Sequence, residues 1–506
     1  MPTMLPAAEF FPFLFPVIAL ILGALACLVA EPLLADRNKH LVLPWMAMAS
    51  IVLSAAALYT TVPGHVQGMF ALDSVRAGLA LVLLVVAGLG IAAVQQNLSQ
   101  DKFAGGEPYA LMLLATIGVF GMVMAANTIA LFVCMELASL AIYPMVGLRR
   151  QSVVSSESLL KYFVMGAVFS AVFLYGASLS YGATGTTAYA GQIQPGRDGV
   201  YFLGFVLMAV GLLFKTSSAP FHFWSPDAYS GAPSGVTGFM AAAVKIGAFS
   251  ALGAIWLNFL ACQAGVVPMS PLALTIYVPP EILAWLPPDI RHRYDLLGKL
   301  FGAVGLLSIL VGSLSLLGQR SVRRLMAFSG VANAGFLVLS LLLPSLVQGH
   351  VQLGVLWFYL AVYALSAMGA LACLTALSGE GDEHDHLSSL AGAARRQPLV
   401  GLALTVFLAS LAGLPPAAGF VAKFQVLTGL MLSAIRPELI WIPAAAMILA
   451  LVAAAGYLRL LILLWSNPGP GADNTRSPGV LLSWLVALVA ILVLVLSVGP
   501  QILFRG

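Results

Sequence analysis

Charge is what this 506-residue chain has least of: Asp, Glu, Lys and Arg together make up 8% of it, where a soluble globular domain carries about 25%. That scarcity excludes an ordinary soluble globule. Cysteine is rarer still. Cys27, Cys134, Cys262 and Cys373 stand singly in apolar runs, so no CxxC or Cys/His spacing supports an iron–sulfur cluster, a zinc site or a disulfide. No GxGxxG or Walker loop opens a helix after a strand. The net charge of +4 comes without a basic cluster, which gives no argument for nucleic acid. Any redox chemistry therefore falls to another polypeptide, and no metal or cofactor site is expected in this one.

What the chain has in abundance is hydrocarbon, with 61% hydrophobic residues. Runs of the roughly 17–25 apolar residues needed to cross a bilayer recur from end to end. Fourteen candidate spans are centred on 11–30, 41–61, 75–94, 109–126, 128–147, 158–181, 200–223, 234–261, 298–318, 324–345, 351–377, 400–430, 440–466 and 479–503. The runs are continuously apolar and do not alternate, which indicates helices and not a barrel. The first span lacks a basic leader and reads as a permanent anchor. One set of alternating connections holds eleven Lys and Arg, the other six. By the positive-inside rule the richer set is cytoplasmic and both termini lie outside.

The expected fold is an all-α integral membrane protein of about fourteen transmembrane helices. Two spans carry helix breakers at similar places. In the seventh, Lys215 is followed by Pro220, Pro226, Gly231 and Pro233; in the twelfth, Gly413-Leu414-Pro415-Pro416 and Gly419 precede Lys423. Proline removes a backbone donor and clashes with the preceding turn, so helices 7 and 12 are expected to be broken. Matching broken helices point to an inverted repeat around a transport site. Two inverted five-helix repeats follow: helices 1–3 occupy 1–107, the first repeat 108–261, an extramembrane loop 262–297, the second repeat 298–466 and the last helix 467–506. The loop 262–297 is proline-rich, and 281–286 within it has the look of a short surface helix.

Ionisable groups deep in the spans are the candidates for function. Glu136 follows 28 residues, and Lys423 follows 26, without an Asp, Glu, Lys or Arg. A charge near the bilayer centre costs about 2.5–3.5 kcal/mol by insertion scales, and more in other estimates. Glu136 lies about twelve residues from the Arg149-Arg150 pair, roughly 18 Å along a helix. It reads as a protonatable site or the acid of a buried pair; a protonated carboxyl bonded between helices is the alternative. Lysine withdrawn from water can take up and release protons near neutrality, which arginine cannot. Lys215, Lys245 and Lys423 therefore suit a proton path, with permanent pairing to a carbonyl at a helix break as the alternative.

Lys161, near the start of the sixth span, either snorkels to the interface or approaches Glu136 if that helix begins early, near Val153. His222 follows Lys215 by seven residues and either relays protons or caps the broken helix. Ser329 and Asn333 suit a hydrated passage or a packing interface. Arg459, inside the thirteenth span, suits electrostatic anchoring. The cluster of Asp382, Glu383, His384, Asp385 and His386 reads as a solvated loop, since adjacent residues diverge and no distant ligand is evident.

Several stretches resemble the proton-pumping antiporter-like subunits of respiratory complex I, and among them subunit N. They are Met135-Glu-Leu, 157–185 (ESLLKYFVMGAVFSAVFLYGASLSYGATG), 211–245 (GLLFKTSSAPFHFWSPDAYSGAPSGVTGFMAAAVK), 323–336 (RRLMAFSGVANAGF) and 407–424 (FLASLAGLPPAAGFVAKF). Lys423 in the twelfth span, the single span after the second repeat and the Leu-Lys-Tyr-Phe of span six all favour subunit N. The resemblance implies that Glu136, Lys161, Lys215, Lys245 and Lys423, with His222 beside them, form a proton relay. It implies partners as well: other antiporter-like subunits and small membrane subunits of NADH-quinone oxidoreductase, in a bacterial inner membrane. NAD, FMN, iron–sulfur clusters and quinone belong to those partners. Many members have histidine where Asn333 stands. A cation/proton antiporter, a proton-pumping membrane hydrogenase and a non-conducting structural subunit remain open alternatives.

Overall fold

A computed structural model of the chain describes residues 7–66, 68–100, 105–189, 191–263, 275–277, 288–343, 345–347, 350–377, 385–432, 441–467 and 479–499. In hydrocarbon a backbone has no water to bond, so long apolar runs must satisfy their own N–H and C=O groups by coiling. The result is helical almost throughout. Helices α1 (Ala7–Ala30), α2 (Asp36–Thr60) and α3 (Ser74–Gln100) come first. The next group is α4 (Glu107–Met124), α5 (Thr128–Val146), α6 (Val153–Thr184), α7 (Asp198–Lys215), the short α8 (Ser225–Gly231) and α9 (Ser234–Gln263). Then follow α10 (Pro288–Gly318), α11 (Val322–Ser340), α12 (Gly354–Leu377), the single turn α13 (Ala393–Arg396), α14 (Pro398–Ala412), α15 (Ala418–Leu432), α16 (Trp441–Trp465) and α17 (Val480–Val498).

Thirteen of these helices are long and apolar enough to cross a bilayer. The fourteenth crossing is made by α14 and α15 in series. Each has 15 residues, or about 22 Å, short of the ~30 Å hydrocarbon thickness. Helices α9 and α12 are buried along their apolar length; they pack on each other and on α3 to form the axis of the bundle. Connections on one side carry short strands. β1 (Gly64–Val66) pairs antiparallel with β2 (Phe70–Leu72). In a second sheet β5 (His350–Gln352) lies between β3 (Thr275–Tyr277) and β4 (Ser345–Val347), so the connections after α9 and after α11 are joined. The surface helix expected at 281–286 lies outside the described residues.

Both expected breaks are present, and the seventh span reaches farther than 223. Helix α7 stops at Lys215, the chain turns through Thr216-Ser217-Ser218, and helix resumes at Ser225 to end at Gly231. Pro226 is tolerated because it occupies the first turn of α8, where no intrahelical donor is needed. The orphan carbonyls at the end of α7 are taken up locally: Ser218 N bonds Leu213 O, and Trp224 Nε1 bonds Phe214 O at 2.9 Å. Helix α14 ends at Gly413, whose φ of +82° suits glycine. The Gly413 and Leu414 amides both return to Ala409 O.

One close helix contact recurs in the two halves. Helix α4 packs on α5 as α10 packs on α11. A Cβ on Gly118 would fall 2.4 Å from Ala138 N, and a Cβ on Gly312 would fall 2.4 Å from Ala332 N. The two pairs share one spacing along the chain. By that spacing Glu136 corresponds to Gly330, and Ser139 to Asn333.

Because backbone, not a flexible side chain, fills the space, Gly118→Ala and Gly312→Ala should each destabilise by about 1–3 kcal/mol, as overpacking does. Thermal unfolding of the detergent-solubilised protein measures this. Gly182→Ala, with nothing within 4 Å of its Cβ position, should leave the melting temperature unchanged or slightly raised.

Candidate functional site

Three lysines of the spans, Lys215, Lys245 and Lys423, are buried inside the bundle, on elements that are interrupted or packed on the axis, and Glu136 is half-buried. Lys215 is the last residue of α7, where the partial negative charge of a helix C-terminus favours a cation. Its ammonium donates to Ser139 Oγ at 2.7 Å and lies 6.0 Å from the centres of the Tyr143 and Phe214 rings. Ser139 is one turn beyond Glu136 on α5, so both side chains share a face. Glu136 itself is half-buried and accepts from Ser170 Oγ on α6 at 2.5 Å. It lies within electrostatic reach of Lys215, and Ser139 makes the direct contact.

Lys245 sits midway along α9, buried against α11 and α12. Its Nζ donates to Gly330 O at 2.5 Å and to Tyr363 Oη at 3.1 Å. The acceptor from α11 is thus a backbone carbonyl at the position that corresponds to Glu136 in the first half. Lys423 reaches from α15 back to the end of α14, where Leu411 O accepts at 2.6 Å. The Phe336 ring centre lies 5.3 Å away. All three ammoniums are buried. Among the described residues none forms an ion pair; each is held by a hydroxyl, a carbonyl or both.

Lys161 behaves differently. Helix α6 does begin at Val153, the condition for an approach to Glu136, yet the ammonium turns the other way. It bonds Glu157 at 2.7 Å and Asp227 at 3.0 Å, and its side chain is 41% exposed. Of its two readings the structure shows the interfacial one, without an approach to Glu136: i,i+4 spacing supplies Glu157, and α8 supplies Asp227. The Asp227 carboxylate also takes Arg324 of α11 at 3.4 Å. Beside it, Arg323 pairs with Asp385 at 3.1 Å and donates to Ala232 O at 2.8 Å. Asp385 further accepts from Ser321 Oγ, so it serves an ion-pair belt that ties α6, α8 and α11 together. His386 is exposed and contacts Ser388. Asp382, Glu383 and His384 lie outside the described residues.

His222 stands in the turn after α7, not on a continuation of the Lys215 face. Its carbonyl accepts from Ser225 N at the start of α8, and its Nδ1 is buried with no hydrogen-bond partner among the described residues. Asn333, Ser329, Tyr359 and Tyr457 form a closed cluster: Tyr359 Oη donates to Asn333 Oδ1 at 2.9 Å, Asn333 Nδ2 donates to Ser329 O at 2.9 Å, and Ser329 Oγ bonds Tyr457 Oη. Arg459 is exposed on α16 and donates to Leu317 O at 3.2 Å.

Several partners escaped the sequence analysis. Ser139, Ser170, Asp227 and Tyr363 all bond a candidate residue. Ser139 had a signal, being three positions from Glu136. Asp227 had another, as an acid inside a broken span. Ser170 and Tyr363 had none, since their helices carry many similar side chains.

A membrane bundle with paired broken spans and buried lysines defines an ion-translocating class of helical subunit. The model of the NADH:quinone oxidoreductase/Mrp antiporter transmembrane family matches residues 125–277 and 281–461, and the chain belongs to that family. It is 33% identical to NADH-quinone oxidoreductase subunit N 2 of Acidobacterium capsulatum over 97% of this chain and 97% of that one. With NADH-quinone oxidoreductase subunit N of Salinibacter ruber it shares 33% over 85% and 81%. Among solved structures, a chain of respiratory complex I from Thermus thermophilus is 28% identical, with a TM-score of 0.76 over 97% of this chain and 98% of that one. A chain of the Mrp complex from a Dietzia species shares the fold, at 20% identity and a TM-score of 0.76 over 99% and 96%. The likeness to subunit N expected from the sequence therefore holds.

Gly413→Ala tests the Lys423 pocket. The substitution forces an L-residue into the left-handed region at about 1–2 kcal/mol, and its Cβ would fall 2.8 Å from Lys423 Cδ. A lower melting temperature and slower proton translocation in membrane vesicles are expected.

Proposed function

We propose that this chain is a proton-translocating membrane subunit of an NADH-quinone oxidoreductase, moving protons along a buried relay driven by electron transfer in neighbouring subunits. One observation carries it: three ammoniums lie inside the bundle on hydroxyl and carbonyl oxygens, with no carboxylate bonded to them among the described residues. Permanent pairing to a carbonyl at a helix break is the structural alternative, met by Lys423 at Leu411 O, and loss of pumping with assembly intact separates the two. A lysine resting on neutral acceptors can give up its proton without leaving an unpaired anion behind.

In this scheme Lys215 is loaded from the cytoplasm through the interrupted α7–α8 span. Lys245 passes the proton across the bundle axis, and Lys423 releases it on the other side. Glu136, acting through its charge, biases Lys215. The Lys161–Asp227–Arg324 belt stands on the cytoplasmic side of the same break, and His222 lies between the belt and Lys215 in sequence. The redox groups (NAD, FMN, iron–sulfur clusters and quinone) belong to partner subunits, and other antiporter-like and small membrane subunits pack against the exposed faces. The loop charges orient the chain in a bacterial inner membrane with both termini outside the cytoplasm.

The test is Lys215→Ala in the intact complex, assayed in inverted membrane vesicles. NADH-driven acidification should fall by at least about tenfold, the scale of a lost positioned proton-transfer group, while the amount of assembled complex stays normal. Undiminished acidification would make the chain a scaffold.

A further inference from the structure

Two sets of polar side chains lie between Lys245 and Lys423, and their bonding tells them apart. The first is the cluster of Asn333, Ser329, Tyr359 and Tyr457. Its central bond runs from Tyr359 Oη to the Asn333 amide oxygen. A relay needs each member to take a proton on one lone pair while surrendering its own. An amide oxygen accepts hydrogen bonds but is too weak a base to hold a proton, and its NH2 group only donates. Here Asn333 Nδ2 is already committed to Ser329 O. The cluster therefore clamps α11, α12 and α16 together and leads nowhere.

The second set lies on α12 and α14. Lys245 Nζ donates to Tyr363 Oη at 3.1 Å. Ser366 follows three residues later on the same face of α12, and its Oγ lies 2.8 Å from Ser410 Oγ in the last turn of α14. The next residue, Leu411, supplies the carbonyl that holds Lys423. Ser410 Oγ also accepts from Gly419 N at 3.2 Å. A Cβ on Gly419 would fall 1.8 Å from Ser410 O, so the two half-helices press together at this point. Tyr363, Ser366 and Ser410 are all buried. Hydroxyls, unlike amides, can exchange donor and acceptor roles by rotating.

We propose that Tyr363, Ser366 and Ser410 form the hydroxyl relay that carries a proton from Lys245 to Lys423, with the Asn333 cluster a structural clamp beside it. The relay rests on the translocation function set out above. An N–H bond of the Lys245 ammonium breaks as Tyr363 Oη takes the proton. The phenol O–H breaks, and its proton passes to Ser366 through one water molecule. Ser366 gives its own proton to Ser410. Ser410 gives its proton, through a second water, to the neutral amine of Lys423, where a new N–H bond forms. Lys245 ends neutral and Lys423 charged; each hydroxyl ends with the proton count it began with and turns back before the next transfer.

Tyr363→Phe, Ser366→Ala, Ser366→Thr, Tyr359→Phe and Lys245→Ala, each in the full complex, decide the matter. Protons moved per NADH oxidised are measured in inverted vesicles, alongside the amount of assembled complex and the solvent deuterium isotope effect. Tyr363→Phe and Ser366→Ala should each lower the proton yield by at least about tenfold. Ser366→Thr, which keeps the hydroxyl, should retain most of it, and Tyr359→Phe should match the unaltered chain. If Tyr363→Phe does not assemble, the contrast between Ser366→Ala and Ser366→Thr is decisive by itself. Normal yield in Tyr363→Phe and Ser366→Ala, with Lys245→Ala inactive, would overturn the relay and leave the translocation function standing. Normal yield in Lys245→Ala as well would overturn both.

Discussion

An ammonium inside hydrocarbon must find oxygen, and in this fold it comes from hydroxyls, a carbonyl within a helix and the end of an interrupted helix. A regular helix offers little, because its carbonyls are already bonded four residues on; only the last turn has spare acceptors. Lys423 reaches one from the neighbouring half-helix, whereas Lys215, though it ends α7, turns to Ser139 Oγ and Lys245 takes Gly330 O from within α11. A charge-assisted hydrogen bond is worth about 1.5–3 kcal/mol, comparable to the insertion cost of one charge. The break at residues 413–417 therefore helps to make the buried Lys423 tolerable.

The repeat is symmetric in backbone and asymmetric in charge. Gly118 against Ala138 and Gly312 against Ala332 set the same close helix approach in both halves. Yet the position of Glu136 is occupied by Gly330 in the second half, and that of Ser139 by Asn333. The first half keeps a carboxylate near its lysine, able to bias how tightly the proton is held. The second half offers Lys245 only a carbonyl and a phenol, which lets a proton pass without an anion to trap it.

At the end of the bundle that carries the basic connections, electrostatics do a different task. Asp227 takes both Lys161 and Arg324, and Asp385 takes Arg323. These pairs are partly exposed, so each adds little to stability. Their geometry matters more, since they fix α8 to α6 and to the start of α11. On the opposite side, the β3–β5–β4 sheet joins two connections. One flank of the broken span is thus anchored, while in its interior Ser217 Oγ and His222 Nδ1 have no hydrogen-bond partner among the described residues.

The fourteen crossings, the two breaks and the placing of Lys215, Lys245 and Lys423 inside the bundle were legible in the chain alone. The reason is thermodynamic: apolar runs of bilayer length have one stable form, and a charge or a Gly-Pro cluster within them is conspicuous. Which oxygen each charge meets was not legible. Lys161 chose Asp227, 66 residues away, over Glu136, and Lys245 chose Gly330 and Tyr363. Serines, tyrosines and backbone carbonyls are plentiful in every span, and helical spacing says only which of them share a face. Only the packing of one helix on another selects among them, because a hydrogen bond requires approach to about 3 Å, and that distance is set by tertiary contact.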